Sequence, residues 1–220
     1  MRGLAEILAD AAGGVFPPPD GSVTVVAQPS PRDVGVLAFA AHAVVFADFA
    51  DSVDEGPEWV EKTLAAVPGD PLAAPLCPPF LTALAGRTGL VVGAVDLLTC
   101  ADRLPGGPPP ALTEVLDREH PRVVRALAYR EDVRVFAAEG GVLVLGRGLA
   151  GRWEAAIEVD PHARGRGLGR ALATAARHLV PEGAVVWAQQ APGNAPSVRA
   201  FQAAGYRPVG AEVLLSPEGA

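Results

Sequence analysis

Lysine is nearly absent from this chain. Lys62 is the only lysine among 18 basic residues, whereas 25 residues are acidic, so the formal net charge is -7 and the pI is about 5.1. A protein this acidic repels the phosphates of nucleic acids and of anionic membranes, except where basic residues cluster locally. The charge therefore predicts that neither nucleic acid nor a membrane is a partner.

Cysteine and long hydrophobic runs are also scarce. Cys77 and Cys100 form neither a metal motif nor a disulfide framework, and no His/Cys/Asp cluster has metal-ligand spacing. The longest apolar run, residues 34–47, is shorter than the roughly 20 residues that span a bilayer. Glu6 and Asp10 interrupt the N-terminal stretch, unlike in a signal peptide. These features predict a cytoplasmic protein with reduced thiols and no bound metal.

Glycine and proline, by contrast, are abundant, at 25 and 22 of the 220 residues. They cluster between apolar runs, and half of the chain is hydrophobic, which is typical of a folded protein with many turns. The stretch RLPGGPPPAL at residues 103–112 is typical of a stiff connector. It divides the chain into an N-terminal region, residues 1–105, and a C-terminal domain, residues 106–220.

Hydrophobic periodicity predicts mixed α and β structure in both parts. The N-terminal region is expected to contain a strand at 22–28, one or two strands within 34–48 with a helix as the alternative, helices at 57–67 and 80–85, and a strand at 90–99. The C-terminal order is β-α-β-β-β-α-β-α-β-β. Its elements are strand 111–116, helix 121–130 with Val124, Leu127 and Ala128 on its apolar side, strands 132–138, 141–149 and 152–159, helix 168–179, strand 185–188, helix 196–204 and a final pair of strands in 206–215.

The segment IEVDPHARGRGLGRAL, residues 157–172, contains the densest chemical signal. A strand ends at Val159, a helix begins near Gly167, and glycines between them let the backbone approach a ligand closely. The N-terminus of a helix presents unpaired N–H groups and the positive end of its dipole, which suits a phosphate. Arg164, Arg166 and Arg170 add guanidinium groups that suit phosphate oxygens. Because the pattern is neither G-x-G-x-x-G nor G-x-x-x-x-G-K-[ST], dinucleotide-binding and P-loop readings are disfavoured.

Two motifs in this half resemble those of the GNAT acetyltransferase superfamily. The family signature R/Q-x-x-G-x-G/A, after a strand ending in V-x-P, is matched by Val159, Pro161, Arg164, Gly167 and Gly169. A second motif, an Asn followed by a small residue, an aromatic residue and G-[FY], is matched in NAPSVRAFQAAGYRP by Asn194, Ser197, Phe201, Gly205 and Tyr206. The resemblance covers about residues 111–215.

The resemblance implies a mixed, mostly antiparallel sheet with flanking helices, in which the strand ending at Val159 splays from the strand at 185–188. It implies acetyl-CoA as cofactor, with its pyrophosphate on the backbone N–H groups of residues 165–170 and its pantetheine arm along residues 157–159. A backbone N–H of that strand would polarise the thioester carbonyl. The implied cofactor-binding residues are Ile157, Glu158, Val159, Arg164, Gly165, Arg166, Gly167, Leu168, Gly169, Arg170, Asn194 and Ser197.

Catalysis would need a base for the attacking amine. Glu154 and Glu158 lie on one face of their strand and are the candidates, with Glu158 preferred because it is beside the implied thioester; the alternative for each is a solvated outward face. Phe201 replaces the Tyr that protonates the leaving thiolate in many family members, and Tyr206 is not expected to substitute. The thiolate would then leave unprotonated or through water.

The predicted function is acetyl-CoA-dependent N-acetylation of a primary amine on a small molecule or a peptide N-terminus. The acidic surface favours cationic acceptors. A non-catalytic acyl-CoA-binding sensor and a pure interaction protein are the alternatives. Only one helix fits between the first two strands of the domain, so residues 1–105 are expected to supply a wall of the acceptor pocket or to be a degenerate second copy of the fold. The oligomeric state is open, with a homodimer among the alternatives.

Overall fold

The computed structural model describes residues 2–49, 55–108, 111–116 and 118–218, and these form two compact units. Residues 98–208 form the second unit, and the segments on either side of it form the first. The connector at 103–112 lies in the second unit, with Pro109 and Pro110 outside the described residues. The functional boundary near residue 105 stays a prediction.

The first unit packs helices against a sheet. In it the strands lie in the order β1-β3-β2-β10-β4, with β1 parallel to β3 and β2 antiparallel to both β3 and β10. Of the alternatives expected within 34–48, the structure has two strands, and these form an antiparallel hairpin. Its elements are α1 (Leu4–Ala12), β1 (Val23–Val26), β2 (Val34–Phe39), β3 (His42–Phe46), α2 (Glu55–Ala65), α3 (Pro78–Thr88), the first part of β4 (Val91–Asp102) and most of β10 (Arg207–Ser216).

The second unit contains the motif-bearing half of the chain. Its strands lie in the order β4-β9-β8-β7-β6-β5; the pairs from β5 to β8 are antiparallel, and β8 is parallel to β9. This is the mixed, mostly antiparallel sheet with flanking helices that was predicted. Its elements are β5 (Thr113–Val115), α4 (Pro121–Tyr129), β6 (Glu131–Ala138), β7 (Gly141–Arg147), β8 (Trp153–Val159), α5 (Leu168–Leu179), β9 (Val185–Gln190) and α6 (Ala195–Ala203), with 3-10 turns at Leu149–Gly151 and Pro161–Ala163.

Two predictions from the sequence were wrong: the pair of strands in 206–215 and the buried side of α4. The expected pair of strands in 206–215 is one continuous strand, β10. Gly210 makes no turn there; a Cβ at this position would lie 2.2 Å from the carbonyl oxygen of Ala38, so glycine lets β10 approach β2. The side of α4 that packs on the sheet is also different. Val123 and Ala126 are buried against Val135 and Val144, whereas Val124 and Leu127 are 53% and 40% exposed and Ala128 is exposed.

The predicted splay between two parallel strands is present. β8 pairs with β9 only through Trp153 with Val186 and Glu154 with Trp187. The rest of β8, residues 155–159, is paired with β7 on its other side but with no residue of β9 in the described structure. One edge of β8 is therefore open next to the loop that leads into α5.

Candidate functional site

The loop between β8 and α5 depends on glycine for its conformation. Gly165 has φ = 74° and Gly167, the N-cap of α5, has φ = 85°. Side chains with a Cβ rarely adopt this left-handed region. At both positions an added Cβ would meet no atom within 4 Å, so backbone conformation alone accounts for the two glycines.

Backbone donors are concentrated in this loop. Among the described residues, no acceptor takes a hydrogen bond from the backbone N–H groups of residues 164–170, and the first bond of α5 runs from Ala171 N–H to Gly167 O at 3.0 Å. The unpaired N–H groups and the helix dipole make this end of α5 attractive to an anion. The geometry is suited to a phosphate or diphosphate.

The three arginines of the loop have different environments. The Arg164 Nε donates to the carbonyl oxygen of Val159 at 3.1 Å, so this side chain folds back over the end of β8. Arg166 and Arg170 are exposed and form no ion pair with any described residue. Their charges are available to an anion at the start of α5.

The open edge of β8 presents its own donors. The N–H of Asp160 donates to Gly140 O at 2.9 Å, on the β7 side of the strand. Because successive residues of a strand direct their N–H and C=O groups to opposite sides, Glu158 also faces β7, whereas Ile157 and Val159 face the gap beside β9. The Ile157 N–H can therefore pair with an extended ligand in the gap.

The two faces of β8 have different neighbours. Ala155, Ile157 and Val159 belong to the core that α5 and α6 cover. Glu158 lies opposite Val142 of β7, which packs against the cluster that includes α4. Glu154 and Glu158 therefore lie on the α4 face, as the alternation predicted.

Glu158 forms an ion pair that sequence spacing could not show. Its Oε2 accepts a hydrogen bond from the Nε of Arg122 on α4 at 2.8 Å, and both side chains are 44% exposed. Its Oε1 accepts none from the described residues. The two residues are 36 positions apart, so only the packing of α4 on the sheet brings Arg122 to the site.

Glu154, in contrast, is buried. Its carboxylate accepts hydrogen bonds from Arg130 at 3.0 Å, from Arg152 at 2.8 Å and from the backbone N–H of Leu149 at 3.3 Å. Burial alone would raise its pKa, but the charges of Arg152 and Arg130 outweigh burial and hold the pKa of Glu154 below its usual range. Gly148 leaves room for it, because a Cβ there would lie 2.4 Å from the carboxylate carbon. The side chain of Glu154 is therefore not on a solvated face, which was the alternative to a catalytic role. Its contacts favour a structural role over that of a base.

Asn194 caps a helix. Its side-chain oxygen accepts a hydrogen bond from the backbone N–H of Ser197 at 3.2 Å, at the start of α6. Such a cap satisfies a donor that the helix cannot pair internally. Both residues lie in the segment after β9, the strand on the far side of the gap.

Neither aromatic residue of the second motif can act as an acid. Phe201 and Tyr206 are buried and stack edge to face, with ring centroids 4.8 Å apart. The hydroxyl of Tyr206 donates to Ala173 O at 3.2 Å, and burial raises its pKa. Tyr206 is thus held in the core, and that it does not substitute for a catalytic tyrosine stays a prediction.

Residues 98–206 match the family model described as Acetyltransferase (GNAT) family. Among solved structures, the chain is similar to an acetyltransferase from the GNAT family of Colwellia psychrerythraea (11% identity, 64% of this chain and 63% of that one, TM-score 0.41). It is also similar to a GCN5-related N-acetyltransferase from Kribbella flavida (21%, 64% and 65%, TM-score 0.40). The chain thus spans less than two thirds of the length of either protein. No curated protein gives a significant match.

The described residues contain neither a cluster suited to a metal ion nor a helix suited to a membrane. No group of three or more His, Cys, Asp or Glu side chains is placed to hold a metal ion. No helix in that part of the chain combines the length and the apolar character needed to cross a membrane.

Proposed function

We propose that the chain is an acyltransferase that transfers an acetyl group from acetyl-CoA directly to a primary amine, because residues 98–206 match the acetyltransferase (GNAT) family model. The observation that carries this proposal is the run of unpaired backbone N–H groups at residues 164–170, adjacent to the open edge of β8. The two features together suit a ligand with a diphosphate and an extended amide-containing arm, as in CoA.

Three groups of residues would contact acetyl-CoA. The N–H groups of residues 165–170, with Arg166 and Arg170, would hold the diphosphate. The gap-facing groups of Ile157 and Val159 would pair with the pantetheine arm, and the Ile157 N–H would polarise the thioester carbonyl. Asn194 and Ser197 would border the cofactor across the gap, with the Asn194 cap holding the start of α6 in place.

We assign Glu158 as the base. Its Oε1 is available to take a proton from the amine as the new C–N bond forms and the C–S bond breaks. The departing thiolate would leave unprotonated or take a proton from water, because Phe201 has no hydroxyl and the Tyr206 hydroxyl is buried.

We further propose that the reaction takes place in the cytoplasm and that residues 1–105 contribute to acceptor selection. A degenerate copy of the fold remains the alternative for that region. A non-catalytic acyl-CoA sensor is the second candidate function, and the absence of a tyrosine hydroxyl at Phe201 is the observation that favours it.

Release of free CoA from acetyl-CoA, measured with a panel of amines, tests whether the protein is an acetyltransferase. Glu158→Gln should lower kcat by about 100-fold or more and leave CoA affinity unchanged, since general-base catalysis contributes about that much. Glu114→Gln is the matched control, because Glu114 is an exposed glutamate paired with Arg134 on β6. Tight CoA binding without release against any amine would favour the sensor, and full activity of Glu158→Gln would refute the assignment of the base.

A further inference from the structure

Three arginines lie at or near the start of α4, in a segment that also contains Asp117 and Glu119. Arg118, Arg122 and Arg125 are all exposed there, although the whole chain has a net charge of -7. The N-terminus of α4 adds the positive end of a helix dipole. Among these residues, Arg122 is the one that contacts Glu158, through a hydrogen bond of 2.8 Å.

Arg122 uses only part of its guanidinium. Its Nε donates to Glu158, while its two Nη groups donate to no described residue. The Arg122 side chain is 44% exposed, so these groups are accessible to solvent. A guanidinium fork matches a carboxylate with two parallel hydrogen bonds. Arg122 thus has free donors of the right geometry next to the proposed base.

The ion pair contributes little to folding. An exposed pair of this kind is worth about 0–1 kcal/mol. α4 is held on the sheet by the buried side chains of Val123 and Ala126, not by Arg122. The pair can therefore open for a ligand at small cost, and it places one positive and one negative group side by side on the α4 face of β8.

We infer that the acceptor is a free amino acid, whose ammonium group pairs with Glu158 and whose carboxylate pairs with the Nη groups of Arg122. This inference rests on the proposed function and names the substrate class of the same site. Two ion pairs between protein and substrate replace the single pair within the protein. The ammonium group first loses one proton to water, and the neutral amine attacks the thioester. As the C–N bond forms and the C–S bond breaks, the Glu158 carboxylate takes the second amine proton and CoA leaves as the thiolate. The inference departs from the cationic acceptors that net charge alone favours.

Matched pairs of acceptors test it: L-leucine against L-leucinamide and isoamylamine, and L-phenylalanine against phenethylamine, with phosphoethanolamine added as an anionic amine without a carboxylate. The wild-type protein should have a KM at least about 10-fold lower for each amino acid than for its analogue lacking the carboxylate. Arg122→Gln should raise the KM for the amino acid by about 10- to 100-fold relative to any change in the KM for the matched amine, since loss of the partner of Glu158 acts on both acceptors alike. Arg134→Gln, which breaks a similar exposed pair on β6, should change neither.

Each outcome separates this inference from the proposed function. If CoA itself does not bind, the proposed function fails first. If CoA binds and amines react without any preference for a carboxylate, or if Arg122→Gln affects both members of a pair equally, the inference is wrong and the acyltransferase stands. A preference for phosphoethanolamine over the amino acids would also overturn it. If no acceptor reacts, calorimetric titration of L-leucine into the CoA-saturated protein decides, and absence of binding overturns the inference.

Discussion

Removing the Glu154 carboxylate should destabilise the fold strongly, because it would leave Arg130 and Arg152 facing each other in a buried site. Both guanidinium groups donate to this carboxylate, and the Glu154 side chain is only 6% exposed. Loss of one partner from a buried ion pair typically costs about 3–5 kcal/mol. For a chain of this size that corresponds to a fall in Tm of about 6–20 °C. We expect Glu154→Ala to show this loss in calorimetry and in urea unfolding.

The pH dependence of stability gives a second readout for the same residue. The pKa of Glu154 is lowered in the folded state from an ordinary value of 4.5. Its stabilising effect is therefore fully present above pH 4.5 and is lost as the pH falls through the lower, folded-state pKa. Glu154→Gln has no carboxylate to protonate, so its stability should fall less steeply than that of the wild type in this acidic range.

Glu114→Ala is the control for Glu154→Ala. Glu114 also pairs with an arginine, but both side chains are more than 40% exposed, so its removal should cost less than about 1 kcal/mol. Equal, small losses for the two variants would refute the structural role of the buried pair.

Three further predictions concern the loop, the cap and the connector. Gly167→Ala should lower the unfolding free energy by about 1–2 kcal/mol and the CoA affinity, measured by calorimetry, by at least about 10-fold. Gly183 has a similar positive φ and the same open space around its Cα, so Gly183→Ala should lose stability but not CoA affinity. Asn194→Ala should cost about 1 kcal/mol in denaturant unfolding, and an unchanged midpoint would argue against the cap. A truncation starting at Ala111 lacks β4, exposes an edge of β9 and should aggregate; a monomeric product that unfolds cooperatively would contradict this.

Periodicity and turn residues predicted much of the second unit. The run Leu168, Ala171, Leu172, Ala175, Ala176 and Leu179 marked α5 because its apolar residues recur at helical spacing, and Leu172, Ala175 and Ala176 are fully buried. The glycines at 165 and 167 predicted the loop because few other residues adopt a positive φ. Both signals depend only on residues close to one another in the chain, so they can be recognised from the sequence alone.

The features that were missed depend on contacts between distant parts of the chain. Gly210 resembles a turn residue until β2 is placed beside it. Glu154 alternates with apolar residues like a solvated side chain, and only Arg130 and Arg152 explain its burial. Arg122 has no spacing that links it to Glu158. No local pattern could have supplied these pairings.

The central claim is that the backbone donors of residues 164–170 bind a diphosphate, and isothermal calorimetry with three ligands tests it most directly. CoA should bind, and dephospho-CoA, which keeps the diphosphate and lacks only the 3'-phosphate, should retain most of the affinity. Pantetheine, which lacks the diphosphate together with the nucleotide, should bind at least about 100-fold more weakly than CoA, because the loss removes several charge-assisted hydrogen bonds. Absence of heat with CoA, or equal affinity for CoA and pantetheine, would contradict the account.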